Sequence, residues 1–326
     1  MDAGRGQKGI VTVFGGSGFV GRHVVRALAR DGWRVRAAVR RPDLAGHLQP
    51  MGAVGQIHAV QANLRYPESV ARAVAGVDAV VNLVAILAPS GRQTFEAVHV
   101  DGARAVARAT RQAGIGRLVH VSAIGADPKA ASHYARTKGK GEEAIREEFP
   151  DAVILRPSII FGPEDAFFNR FAGLAQLSPI MPLIGGQTRF QPVFAGDVAD
   201  AISAVLAGKA QSGAVYEIGG PEVLTFRELL DRTQAWAGHR RPYLPVPFWL
   251  AKLMAIATWI LPNALRPITV DQVRLLRHDN VVGATAKEEH RTLADLGVTA
   301  PHSIESIVPP YLVRYRPKGQ FSLYRG

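Results

Sequence analysis

Tyr134 and Lys138 are the pair in this 326-residue chain whose types and spacing suit the movement of a proton. Four residues apart on a helix, they share one face. An ammonium beside a phenol lowers its pKa, so Tyr134 is expected to give a proton to a carbonyl or take one from an alcohol. Ser122, twelve residues upstream, is placed to hydrogen-bond the same oxygen, and Lys138 is also placed to reach a nicotinamide ribose. Solvated helix residues would produce the same spacing; the position of the pair after a strand that ends in a serine argues against chance. A second set of residues suits a phosphate. Gly15-Gly16-Ser17-Gly18-Phe19-Val20-Gly21 carries glycine at both Gly16-x-Gly18-x-x-Gly21 and Gly15-x-x-Gly18-x-x-Gly21 spacing. Backbone without Cβ atoms lets a pyrophosphate approach, and free N–H groups at a helix start attract its charge.

The elements that must position these residues are legible around them. Ile10 to Phe14 reads as a buried strand, and Val20, Val24 and Leu28 mark one face of a helix from Phe19 to Arg30, closed by Gly32. Strand, glycine turn and helix together form the context of a dinucleotide site; without it, a ligand-free turn would be the simpler reading. A second strand, Arg34 to Val39, ends in Arg40-Arg41-Pro42. An acid here would hold the ribose 2′-hydroxyl of NAD, but Asp43 comes only after the proline. Two guanidiniums suit a 2′-phosphate instead, so NADPH is the expected cofactor; two solvated surface arginines are the alternative.

Further strands are expected at Gln56 to Val60, within the apolar run Ala79 to Ala85, at Leu118 to Val121 and at Val153 to Leu155. Asn63 and Leu64 follow the third strand, where an adenine would be edged. Pro67 suits the first turn of a short helix, and a longer helix is expected from Phe95 to Ala113. This alternation implies an α/β fold, a Rossmann-type doubly wound parallel sheet. Residues 1–155 are expected to form the NAD(P)-binding domain, and 156–326 a smaller C-terminal α/β part packed with it as one unit. In that part, Phe167 to Leu177 reads as a helix, and Thr225-Phe226-Arg227-Glu228 as a capping box.

The composition narrows the classes of function. Cysteine is absent, which removes disulfides and thiolate metal sites, and no metal is expected. No apolar segment of a signal peptide precedes Ile10. The net charge of +12, from 39 Lys+Arg against 27 Asp+Glu, suits an anionic partner. The basic residues are scattered, with no aromatic-interleaved basic run, so nucleic acid is not expected.

The chain resembles the extended or atypical short-chain dehydrogenase/reductases. The resemblance rests on Gly15 to Gly21, Ser122, Tyr134 and Lys138, on Arg156 to Pro163, and on Val193 to Ala199. It implies catalytic roles, active or vestigial, for Ser122, Tyr134 and Lys138. It also implies cofactor contacts for Gly15, Ser17, Gly18, Phe19, Val20, Gly21, Arg40, Arg41, Asn63, Leu64, Val84, Ala85, Ser122, Tyr134, Lys138, Pro157 and Ile160. One position departs: His99 stands where the extended members usually carry Asn, which weakens the case for turnover.

Two stretches fit no reductase mechanism. Residues 247–261 are apolar around nearly the whole helix, with Lys252 the sole charge, yet short of the ~20 residues that span a bilayer. They suit a buried helix, or one pressed against a membrane or a partner. The tail from Pro309 onward is basic and aromatic; its prolines are expected to block a helix, and Tyr311, Arg314, Tyr315 and Arg316 to anchor an interface. With these stretches, the motif versions resemble the NAD(P)-binding accessory subunits of respiratory complex I, NADH:ubiquinone oxidoreductase. That resemblance implies NADPH in a mainly structural role and the other subunits as partners. It also implies contact with the membrane surface, on the cytoplasmic face of a bacterial inner membrane or the matrix face if mitochondrial. The alternative is a freestanding NADP-dependent reductase, epimerase or dehydratase using Ser122, Tyr134 and Lys138.

Overall fold

The computed structural model describes residues 8–258, 268–317 and 319. Its first elements follow the hydrophobic pattern closely. Strand β1 (Ile10–Phe14) leads through the glycine turn into helix α1 (Phe19–Arg30), which buries Val24, Val25 and Leu28. Then come β2 (Arg34–Val39), β3 (Ile57–Gln61), α2 (Pro67–Val74) with Pro67 in its first turn, and β4 (Ala79–Asn82). The apolar run does not stay in the sheet as far as Ala85. The Asn82 side chain accepts the Val84 N–H at 3.1 Å, a local bond that turns the chain out of the strand.

The helix expected from Phe95 begins instead as a π-helical turn, Glu96–Asp101, and continues as α3 (Gly102–Gln112). Beyond it lie β5 (Leu118–Val121), α4 (His133–Glu148) and β6 (Val153–Pro157). The remaining helices are α5 (Phe168–Leu177), α6 (Ala195–Leu206), α7 (Phe226–Trp236), α8 (Phe248–Ala257), α9 (Val270–Leu275), α10 (Ala284–Glu288) and α11 (Ile304–Leu312).

The chain divides into two compact units. The first takes the chain up to Pro157 and then Ala195–Ile218 and Gly283–Thr299; the second takes Ser158–Phe194, Gly219–Val282 and the chain from Ala300. The first unit holds a seven-stranded parallel sheet, ordered Val215–Ile218, β6, β5, β4, β1, β2, β3. The strand order reverses between β1 and β4, and the carboxyl edge at such a reversal is the usual ligand position in these sheets. Valines 11, 13, 80 and 81 are fully buried, as strands covered on both faces require.

The second unit is built on a phenylalanine cluster: Phe161, Phe167, Phe168, Phe171, Phe190 and Phe226 stack mostly edge to face. The capping box at α7 forms as expected, with the Thr225 hydroxyl accepting from Glu228 N and the Glu228 carboxylate accepting from Thr225 N. Helix α8 buries Ala251 and Ala255 and exposes Trp249 (65%), Leu253 (54%) and Ile256 (54%). Residues 259–261 of the expected apolar helix lie outside the described residues.

The tail corrects one expectation. Pro309 and Pro310 lie inside α11 and do not block it. Ile304, Val308 and Leu312, spaced by four, are 0–2% exposed, and that buried stripe outweighs two missing N–H donors. The carbonyls that lose them belong to exposed Glu305 and Ser306, where water can substitute. The side chains expected to anchor an interface also make contacts within the chain. Tyr311 Oη donates to Asp165 Oδ2 at 2.5 Å, Arg314 pairs with Asn169, Tyr315 Oη donates to Asn169 Oδ1 at 3.2 Å, and Arg316 Nε donates to the Trp236 carbonyl at 2.9 Å.

Candidate functional site

The glycine turn is shaped by two contacts that exclude a side chain. Gly15 has φ +80°, and its N–H donates to the Ala38 carbonyl at 3.0 Å, tying the turn to the end of β2. At Gly21 a Cβ would stand 2.2 Å from the Gly15 carbonyl oxygen, so glycine lets α1 pack directly on the turn. Gly18 is the N-cap of α1, and no side chain caps the helix or places an acid in its first turn. Its first N–H groups and the positive end of its dipole are therefore offered to an anion. The cradle fits a pyrophosphate. Ser17, Phe19 and Val20 lie within it, and Val84 borders it, with Cγ2 3.3 Å from the position of a Gly15 Cβ. Ala85 follows, exposed.

Both arginines after β2 are exposed and engaged. Arg40 Nη1 donates to Gln93 Oε1 at 2.5 Å, while Arg41 forks onto Asp43, with Nε to Oδ1 at 3.0 Å and Nη2 to Oδ2 at 2.7 Å. Asp43 thus reaches back over the proline to the guanidinium. Asn63 spends its side-chain oxygen on the Arg65 N–H in a local turn. Leu64, 8% exposed, belongs to the core and touches the Gly102 position. Pro157 closes β6 in the first unit, and Ile160 belongs to the second.

At the carboxyl end of β5, α4 holds Tyr134 and Lys138, the pair expected to move a proton. Ser132 caps this helix, accepting the Ala135 N–H at 3.3 Å. Lys138 is fully buried, and its Nζ donates to the Val121 carbonyl at 2.8 Å. Burial lowers its pKa to about 8 despite the nearby Glu142 charge. Ser122 is 5% exposed, and its Oγ has no hydrogen-bond partner among the described residues. A buried hydroxyl left open is costly unless a water or ligand oxygen completes it. The Tyr134 phenol departs from expectation: burial pushes its pKa up to about 12, where a neighbouring ammonium was expected to lower it. Desolvation of the phenolate sets this direction, and one N–H of the Lys138 ammonium is directed to the Val121 carbonyl.

His99 completes the arrangement. In the π-helical turn, its Nε2 accepts the Ile86 N–H at 3.1 Å, which leaves Nδ1 to donate to Thr137 Oγ1 at 3.1 Å. Its ring meets Tyr134 edge to face at 5.4 Å. One side chain therefore ties the segment after β4 to the helix turn between Tyr134 and Lys138, a role the sequence did not signal. Burial lowers the His99 pKa to about 3, and burial with the Lys138 charge lowers that of His120 well below the ordinary value.

These histidines give a pH prediction. Their folded pKa values are depressed, so as pH falls through ~6.5 the unfolded chain takes up protons that the folded chain refuses. Stability should be flat near pH 7 and fall from about 6.5 downward, with each histidine contributing up to ~1.4 kcal/mol per pH unit. Lys138, depressed toward 8, adds slope only above that pH. Urea midpoints at pH 7, 6 and 5 check this; His99→Gln should flatten the slope, and an unchanged slope would contradict the assignment.

Comparison with known proteins sets this geometry in a family. An NAD(P)H-binding family matches residues 15–166. The mitochondrial NADH-ubiquinone oxidoreductase 40 kDa subunit of Neurospora crassa is 32% identical over 314 residues, covering 96% of this chain and 81% of its own. The chain belongs to the family of that subunit. The Arabidopsis thaliana NADH dehydrogenase [ubiquinone] 1 alpha subcomplex subunit 9 is likewise 32% identical, over 95% of this chain and 79% of its own. A ceramide reductase of Caulobacter vibrioides is 35% identical over 192 residues, 59% of each chain. Among solved structures, the Escherichia coli NADPH-dependent quinone oxidoreductase complexed with NADPH shares the fold, with a TM-score of 0.72 at 19% identity, covering 93% of this chain and 99% of its own. The matched NAD(P)H-binding family supports a nicotinamide cofactor for this chain. Among the described residues, no helix is long and apolar enough to cross a membrane.

Proposed function

We propose that this chain is an accessory subunit of respiratory complex I that holds NADPH mainly for structure and docks at the membrane-proximal arm. The observation that carries this reading is kinship with named complex I subunits along nearly the whole of this chain and about four-fifths of theirs. Gly15 to Gly21 would hold the pyrophosphate, and Arg40 and Arg41 the 2′-phosphate that distinguishes NADPH from NADH. When bound, the nicotinamide supplies hydride chemistry. Around it, Tyr134 keeps its proton at neutral pH, Lys138 is mostly charged, and the Ser122 hydroxyl is open to a ligand oxygen. The exposed apolar side chains of α8, beside Lys252, would face an anionic membrane surface. On this reading the protein sits on the cytoplasmic face of a bacterial inner membrane, or the matrix face in mitochondria, with the other complex I subunits as partners.

A second reading, a carbonyl reductase, draws on the open Ser122 hydroxyl and on the similarity to a ceramide reductase. Tyr134→Phe separates the two. For an accessory subunit, assembly and NADH-driven respiration of membranes should stay within about twofold of wild type. For a reductase, turnover should fall by roughly 10²–10⁴-fold with NADPH still bound. A respiration defect in a Tyr134→Phe strain whose protein retains NADPH would overturn the structural role.

A further inference from the structure

The strand order β4, β1, β2 has a consequence for the segment that follows β4. That segment starts against the glycine turn, where Leu83 N donates to the Phe14 carbonyl at 3.1 Å and Val84 borders Gly15. It ends at Gln93, whose side chain holds Arg40 beyond β2. The chain therefore passes from one side of β1 to the other across the carboxyl edge of the sheet. A tight turn closes it: Ser90 and Gln93 exchange both backbone hydrogen bonds at 3.0 Å, and Gly91 has φ +54°. This turn fixes Gln93 relative to its own strand-like pairing, so its amide oxygen is presented at a set position.

We infer that Gln93 is a specificity-determining residue for NADPH, acting by holding the Arg40 guanidinium in place for the 2′-phosphate. The inference rests on the proposed NADPH reading. A guanidinium carries five N–H donors, and Gln93 occupies one nitrogen, Nη1, leaving the others for phosphate oxygens. An exposed arginine without such a partner must be ordered when the phosphate binds, and ordering a side chain of that length weakens binding. Ordering Arg40 matters only for a nucleotide that carries a 2′-phosphate, which NADH lacks. Gln93 therefore acts on the ratio of NADPH to NADH affinity, and not on both nucleotides alike. Arg41 is held in a comparable way, but by a carboxylate, so Asp43 offsets part of the charge that it orients, which the neutral amide of Gln93 does not.

Calorimetry with NADPH and with NADH on the full chain, freed of nucleotide, tests this. Gln93→Ala should weaken NADPH by roughly three- to tenfold, the cost of ordering one long side chain, and NADH by less than about twofold. Gln93→Glu places a carboxylate on Arg40 and a negative charge beside the phosphate, and should weaken NADPH more than Gln93→Ala does, again sparing NADH. Melting temperatures of the unliganded variants check that the fold is intact. Arg40→Ala and Arg41→Ala run alongside. If they lower NADPH selectively while Gln93→Ala leaves the ratio unchanged, the role of Gln93 is overturned and the NADPH reading stands. If the arginine variants weaken both nucleotides equally, the NADPH reading itself fails, and the role of Gln93 with it.

Discussion

A chain ending at Pro310 is expected to lose the stable fold of its second unit. The deletion removes Leu312, fully buried in the α11 stripe, at a cost of about 2–5 kcal/mol. It also removes the Tyr311 hydroxyl from Asp165, a carboxylate 3% exposed whose pKa burial already raises. Asp165 keeps the Gly162, Phe168 and Asn169 N–H donors, so losing this one hydrogen bond to a charged group costs about 1.5–3 kcal/mol more. Together these approach the whole stability of an ordinary domain, about 5–15 kcal/mol. Limited proteolysis should cut the truncated chain within residues 158–194 and 219–258 under conditions where the full chain resists. Tyr311→Phe keeps the ring and Leu312, and should cost only the hydrogen-bond share. A truncated chain with a wild-type melting curve would refute the anchoring role of the tail.

The next largest effect is expected at Gly21. Alanine there places a Cβ 2.2 Å from the Gly15 carbonyl and 2.7 Å from the Gly16 backbone, neither of which can swing aside. Helix α1 must move off the turn, which separates its N–H groups from the position of the pyrophosphate. Overpacking of this kind costs about 1–3 kcal/mol, so nucleotide affinity should fall by up to ~100-fold, with a lower melting temperature besides. Gly18→Ala is the control, because its Cβ would meet only the Gly15 oxygen at 3.3 Å within the protein. Without nucleotide, Gly18→Ala should melt closer to wild type than Gly21→Ala. Equal destabilisation by the two would contradict the separate roles assigned to these glycines.

The parts of the fold that repeat a local rule were legible in the sequence. Ile10–Phe14 and Leu118–Val121 are fully apolar or nearly so because both faces of the sheet are covered. The glycine turn and the Thr225–Glu228 capping box are set by backbone sterics and neighbouring side chains, which spacing alone conveys. What escaped was decided by partners distant in sequence. The π-helical turn at Glu96–Asp101 accommodates a histidine whose partners are Ile86 and Thr137, and neither is a neighbour in the chain. Tyr134 carries the right type at the right spacing, but its acidity depends on burial, which the Tyr-x-x-x-Lys pattern does not encode. Pro309 and Pro310 argued locally against a helix that the Ile304, Val308 and Leu312 stripe forms through tertiary burial. The pairing of Arg41 with Asp43 needed only a two-residue reach, yet the intervening proline made the acid look out of position.

The central claim is membership of complex I with a nucleotide held for structure. It is tested most directly by solubilising native membranes in mild detergent and resolving them on a blue-native gel. The band with NADH dehydrogenase activity is then probed for this chain and, after denaturation, for released NADPH. The account predicts that the chain migrates with that band and that NADPH is released in proportion to it. A chain that runs alone, away from NADH dehydrogenase activity, would contradict it.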